Sequence, residues 1–212
     1  PEHAPWEAAA TLLARLHRLP ATELPGPLPG MRGPAKAARA VARMRRDAAA
    51  HPAAAPVEHA WAALPAWARA EAPMPYARTV CHGDLHLGQL VRHPAPDGPW
   101  LLIDIDDLGL GEPAWDLARP AAWYASGLLP PEDWTRFIGA YRAANGPAVP
   151  ADGDPWPVLD APARALTVQT AALAVAKSVT ESRPLDEAEH GLIESCVRMA
   201  ALPMELADGD PK

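Results

Sequence analysis

Two aspartates stand where apolar runs end. Asp84 follows Val80-Cys81-His82-Gly83, and Asp104 closes Leu101-Leu102-Ile103. A carboxylate beside an apolar run is costly to desolvate unless something pairs with it or uses it. The amide of Gln89 lies five positions after Asp84, and a further carboxylate, Asp106, lies two positions after Asp104. A carboxylate can orient a hydroxyl and take its proton. Amide and carboxylate oxygens are the donors that magnesium prefers. These are the requirements of phosphoryl transfer to a hydroxyl, where catalysis is mostly positioning and charge stabilisation.

The segments around them must bring these side chains together. Thr79-Val80-Cys81, Gln89 to Arg92 and Trp100 to Ile105 read as short strands. Asp97-Gly98 between the last two is a strong turn signal, so a small hairpin is expected to bring the stretch from His82 to Gln89 near Asp104. On either side the apolar spacing is helical. Helices are expected over Pro5 to Leu19, Ala35 to about Ala50 and Pro56 to Ala72, with Pro65 as a break or kink in the third. Four more are expected over Ala114 to Ala125, Pro131 to Ala144, Pro157 to Glu181 and Asp186 to Leu206. The stretch Leu166 to Val179 is apolar nearly all round and is expected to form a central, buried helix. Asn145-Gly146-Pro147 reads as a helix stop.

The two polar segments carry a resemblance. His82-Gly83-Asp84-Leu85-His86-Leu87-Gly88-Gln89, with Ile103-Asp104, resembles the catalytic and metal loops of the aminoglycoside phosphotransferase and choline kinase-like superfamily. Gln89 stands where that superfamily usually has Asn, a variant similar to bacterial maltokinases and related sugar kinases; Ile105 stands where an aromatic is usual. Leu13-Ala14-Arg15-Leu16-His17 and Gly111-Glu112-Pro113-Ala114-Trp115-Asp116-Leu117-Ala118 also resemble superfamily helices. The resemblance is dense over residues 78 to 120 and thin elsewhere. It implies an α+β, mostly helical fold, the C-terminal lobe of a protein-kinase-like architecture, with a β-hairpin insert carrying the catalytic and metal loops. It implies Asp84 as general base, Gln89 and Asp104 as magnesium ligands, and Asp106 as an aid to a second ion. His82 would brace the loop, and Asp116 would cap its helix and tie the loop down. The implied activity is ATP-dependent phosphorylation of a small-molecule hydroxyl on a sugar, amino sugar or aminoglycoside-like acceptor, with magnesium and ATP as cofactors. A Gly-rich phosphate loop, a strand-borne Lys and a helical Glu partner are not found. Residues 1–212 are therefore expected to form one C-terminal lobe, with the ATP-binding lobe outside this chain or supplied separately.

The same residues admit plainer readings. Asp106-Asp107 could be a solvated loop pair, His86 a surface or packing histidine, Glu112 a loop anchor, and Trp61, Trp67, Trp115, Trp123 and Trp134 core residues. Arg43, Arg45 and Arg46 read as a wet face. Two other functions stay open: a non-catalytic lobe that binds a ligand or partner, and a hydrolytic metal site built from His82, Asp84, His86 and Asp104. A net charge of −7 and a pI near 5.6 argue against nucleic acid as a partner. Two cysteines, Cys81 and Cys196, cannot make a disulfide framework, and Cys81 within its apolar run reads as a small buried hydrophobe. No apolar run is long enough to span a bilayer, so no membrane partner is expected and a cytoplasmic setting is the default.

Overall fold

The computed structural model describes residues 4–202 of the chain. Its helices are α1 (Trp6–His17), α2 (Gly33–Asp47), α3 (Ala54–Ala62), α4 (Ala114–Ala125), α5 (Pro131–Ala143), α6 (Trp156–Thr180) and α7 (Glu187–Ala201). Four short strands, β1 (Thr79–Cys81), β2 (Leu90–Arg92), β3 (Trp100–Leu102) and β4 (Gly109–Gly111), lie between α3 and α4. The fold is mostly helical with two small antiparallel sheets. Among the described residues no helix is long and apolar enough to cross a membrane.

α6 is the axis of the molecule. Leu159, Leu166, Val168, Ala172 and Val175 are buried on different faces of it, and α2, α3, α4 and α7 pack around it. Its alanines let those neighbours approach closely. α1 and α5 form a second packed pair sealed by aromatic rings. Trp6 meets Phe137 edge-on at 5.9 Å, and Trp134 stacks on Tyr124 at 5.4 Å. Trp61, Trp115 and Trp134 are buried; Trp67 and Trp123 are partly so.

Helix boundaries follow local chemistry. α7 opens on a capping box: the Asp186 carboxylate accepts from Glu189 N–H while the Glu189 carboxylate accepts from Asp186 N–H. Residues 203–206, the end of the helix expected there, lie outside the described residues. α5 stops at Ala143 and Asn145 turns left-handed at φ 54°, as its Asn-Gly-Pro end suggests. α3 is shorter than expected, ending at Ala62 rather than Ala72. Pro65 has no N–H to continue the ladder and disfavours the helical conformation at Leu64. Leu64 N–H donates to the Trp61 carbonyl at 3.1 Å, and the Arg69 guanidinium donates to the Ala62 carbonyl at the helix end at 3.0 Å.

The β region differs from a single hairpin. β2 and β3 do pair, with Val91 opposite Leu101. β3 stops at Leu102 rather than Ile105, because Asp104 sits at φ 59°, ψ 59°, outside the extended region. β1 pairs with β4, with Val80 opposite Leu110. The other edge of β4 is taken by the loop before α2: Met31 N–H donates to Leu110 O, and Leu110 N–H donates to Pro29 O, both at 2.8 Å. The two sheets thus hold residues 82–89 beside 103–108, and the loop fixes the start of α2 against them.

Candidate active site

The site is built on a buried carboxylate. Asp116, in the first turn of α4, is 3% exposed. It accepts from the backbone N–H groups of His82 at 2.6 Å and Gly83 at 2.8 Å, and its Oδ2 lies 3.0 Å from His17 Nε2. His17 in turn meets the Tyr141 hydroxyl through Nδ1 at 2.7 Å, and that hydroxyl accepts from Ala148 N–H at 3.0 Å. Burial raises the pKa of the Tyr141 phenol well above its ordinary value, so it stays a neutral link. This chain of bonds ties α1, α4 and α5 to the loop that carries Asp84. Asp116 thus accepts from two successive backbone N–H groups of the turn that leads into Asp84. Cys81 also lies against this cluster; burial pushes its thiol strongly up, so it is an inert packing residue.

Gly83 makes the turn that presents Asp84. It sits at φ 82°, and a Cβ there would come 2.4 Å from the Asp107 carbonyl oxygen. Gly83→Ala should therefore cost stability by at least the roughly 1–2 kcal/mol of a left-handed L-residue. Urea unfolding with an unchanged m-value would show it; a midpoint equal to wild type would refute it.

Asp84 is half-buried at the edge of a narrow cleft lined by Lys36, Trp115, Arg119 and Gln169. Its two oxygens face two cations. Arg119 donates to Oδ1 at 3.0 Å and also to the Leu85 carbonyl, while Lys36 Nζ lies 3.1 Å from Oδ2. Lys36 also pairs with Asp107, which pairs with Arg32 as well. Burial works to raise the Asp107 carboxyl, but Lys36 and Arg32 outweigh it and hold it below the usual carboxylate range.

His82 is fully buried and joins the two loops, its Nε2 lying 2.9 Å from Ile103 O, one residue before Asp104. Gln89 and Asp104 meet: the Gln89 amide Nε2 lies 2.7 Å from Asp104 Oδ2. Asp104, at its left-handed turn, is exposed, and Gln89 is buried. Asp106 is exposed on the turn after Asp104, and among the described residues its carboxylate has no partner; only its carbonyl accepts, from Arg32 at 3.3 Å. Asp84, Gln89 and Asp104 are therefore held by defined neighbours, and Asp106 is not. Among the described residues no three of His82, Asp84, His86 and Asp104 bring ligand atoms within 4.8 Å of one another. Glu112 has its carboxyl raised by burial, with the backbone at Ala114 and Tyr76 opposing this, as suits a loop anchor.

With this geometry in place, the comparison that decides the family is a match of residues 3–157 to the phosphotransferase enzyme family, APH. The chain belongs to this family. No curated protein and no solved structure gives a significant match. Membership in the APH family implies a phosphotransferase and agrees with the resemblance drawn from residues 78 to 120. The match also spans α1 and α2, whose residues complete the site of this APH chain.

Lys36, Arg119 and Arg32 were not singled out by sequence reasoning, and Asp107, read there as half of a solvated loop pair, is instead ion-paired to Lys36 and Arg32. Two signals were there. Lys36 is one of only three lysines, with Lys177 and Lys212, in a chain whose cations are otherwise arginine. Arg119 lies three residues after Asp116, on the same face of a helix. A cavity of about 500 Å³ between the ends of α4, α6 and α7 shares no lining residue with the Asp84 cleft.

Proposed function

We propose that this chain transfers a phosphoryl group from magnesium-ATP to a hydroxyl of a small molecule, in the class of sugars, amino sugars or aminoglycoside-like acceptors. The observation that carries this reading is the pairing of two devices. Asp84 is held between Lys36 and Arg119 at a cleft, and Gln89 meets Asp104 on the two segments that follow it. Asp84 orients the hydroxyl and takes its proton on a carboxylate oxygen. Lys36 and Arg119 fix the direction of that carboxylate and place positive charge where a phosphoryl group would arrive. The donors of Asp104, with the amide oxygen of Gln89, fit a hard divalent cation, and Asp106 is free to assist a second. A magnesium ion held by Asp104 and Gln89 would supply positive charge that offsets the phosphates. Gln89 in place of Asn leans the acceptor toward a sugar.

Leu101, Ile103 and Ile105 are exposed beside Asp104, at 41%, 39% and 59%. An apolar surface next to the metal donors suits a nucleotide base or a second, nucleotide-covering lobe, which we place on this face.

Calorimetric titration of magnesium-ATP into the chain tests the reading. Binding should be magnesium-dependent and fall at least about tenfold in Asp104→Ala, since a metal ligand is lost. A panel of sugars, amino sugars and aminoglycosides then identifies the acceptor. Nucleotide binding indifferent to magnesium and to Asp104→Ala would refute the assignment of the metal residues.

A further inference from the structure

His86 stands beside Gln89 in an arrangement whose hydrogen bonds conflict. The Gln89 Nε2 that lies 2.7 Å from Asp104 Oδ2 also lies 3.1 Å from His86 Nε2. The other ring nitrogen, His86 Nδ1, accepts the N–H of Gly88 at 3.1 Å. An imidazole nitrogen that accepts carries no proton, so the ring's proton is on Nε2. That N–H then points at an amide NH₂, donor against donor. A half-turn of the amide cures this contact, because Oε1 accepts from His86 Nε2–H. The same half-turn sets Oε1 against the Asp104 carboxylate, oxygen against oxygen. The two neighbours of Gln89 therefore favour opposite amide orientations. A cation shared by Gln89 Oε1 and Asp104 Oδ2 satisfies both at once.

We propose that His86 is a positioning residue that turns the Gln89 amide oxygen toward the site cation, so that cation binding switches the amide from its Asp104-bonded to its His86-bonded orientation. Gly88 belongs to the device. A Cβ at Gly88 would lie 2.8 Å from His86 Cε1 and 2.9 Å from Nδ1, so the ring seats against a residue with no side chain. Outer partners that orient a metal ligand in this way typically set affinity by ten- to a hundredfold. This rests on Gln89 and Asp104 being metal ligands, and the test separates the two ideas.

The probe is manganese(II) alone, its binding to the whole chain followed by electron paramagnetic resonance. Gln89→Ala and His86→Ala should each weaken binding about tenfold or more. The double variant should be no weaker than Gln89→Ala, because His86 acts only through Gln89. Gly88→Ala, which displaces the ring without removing it, should show the same loss as His86→Ala. Nitrogen-15 spectra of the imidazole should show the proton on Nε2. No manganese binding by wild type, or unchanged binding in Gln89→Ala, overturns the ligand reading and the proposal with it. Weak binding in Gln89→Ala but full binding in His86→Ala, additive losses in the double variant, or a proton on Nδ1 would overturn the role of His86 alone.

Discussion

Asp84→Asn should lower phosphotransfer by about a hundred- to ten-thousand-fold while magnesium-ATP affinity stays near wild type. The loss is the range ascribed to a positioned general base. Asn matches Asp in shape, so Leu85 and the loop around it keep their packing. It cannot take a proton, and it can offer an oxygen to Arg119 or to Lys36 but not to both, where Asp84 now serves the two. The carboxylate side chain is 36% exposed, so lost ion pairing is screened and unfolding should change by no more than roughly 1 kcal/mol. Steady-state kinetics with the acceptor found in the panel, beside calorimetry with magnesium-ATP, measures both quantities. Turnover within a few-fold of wild type would remove Asp84 from the chemistry. An affinity loss as large as the turnover loss would make it a binding residue instead.

The second large effect is on stability. Asp116→Ala should cost about 3–5 kcal/mol, the range for removing one partner from a buried charged network. The N–H groups of His82 and Gly83 would be left buried without an acceptor, and His17 Nε2 would lose its carboxylate. An unmade buried hydrogen bond costs far more than a made one contributes. Urea unfolding with tryptophan fluorescence reads the effect, since Trp115 is the neighbouring residue and buried. Asp116→Asn, which keeps one oxygen for the two N–H groups, should fall between wild type and Ala. A cost below roughly 1 kcal/mol for Ala would mean the loop is held by other contacts, with the His82 bond to Ile103 the first candidate.

How much of this was legible beforehand varied with the range of the interaction. The β2–β3 hairpin followed from Asp97-Gly98 and flanking apolar residues, because a hairpin is decided locally. The start of α7, expected at Asp186, lies at Glu187 with Asp186 as its N-cap, because the capping box that fixes it spans only four consecutive residues. The pairing of β1 with β4 was not legible: Gly109-Leu110-Gly111 has no strand signature, and what makes it a strand is Val80 on one side and Pro29 to Met31 on the other. α3 overran its real end because apolar spacing continues through Trp67 while Pro65 has already stopped the ladder.

The sequence by itself determined the family and placed the proposed base Asp84, the proposed cation donors Gln89 and Asp104, and the proposed brace His82 within one short stretch of chain. Their roles rest on residue type and near spacing, which the linear chain carries. The tertiary structure alone decided who their neighbours are. Lys36 reaches Asp84 from α2 and Arg119 from α4, and Asp116 receives His17 from a helix nearly a hundred residues away in sequence. Those contacts are set by how helices pack around α6, and packing depends on the shapes of many buried side chains at once rather than on any local pattern. The same holds for Asp107, which lies next to Asp106 in the chain yet faces Lys36 and Arg32 because a left-handed turn at Asp104 reorients the segment that follows.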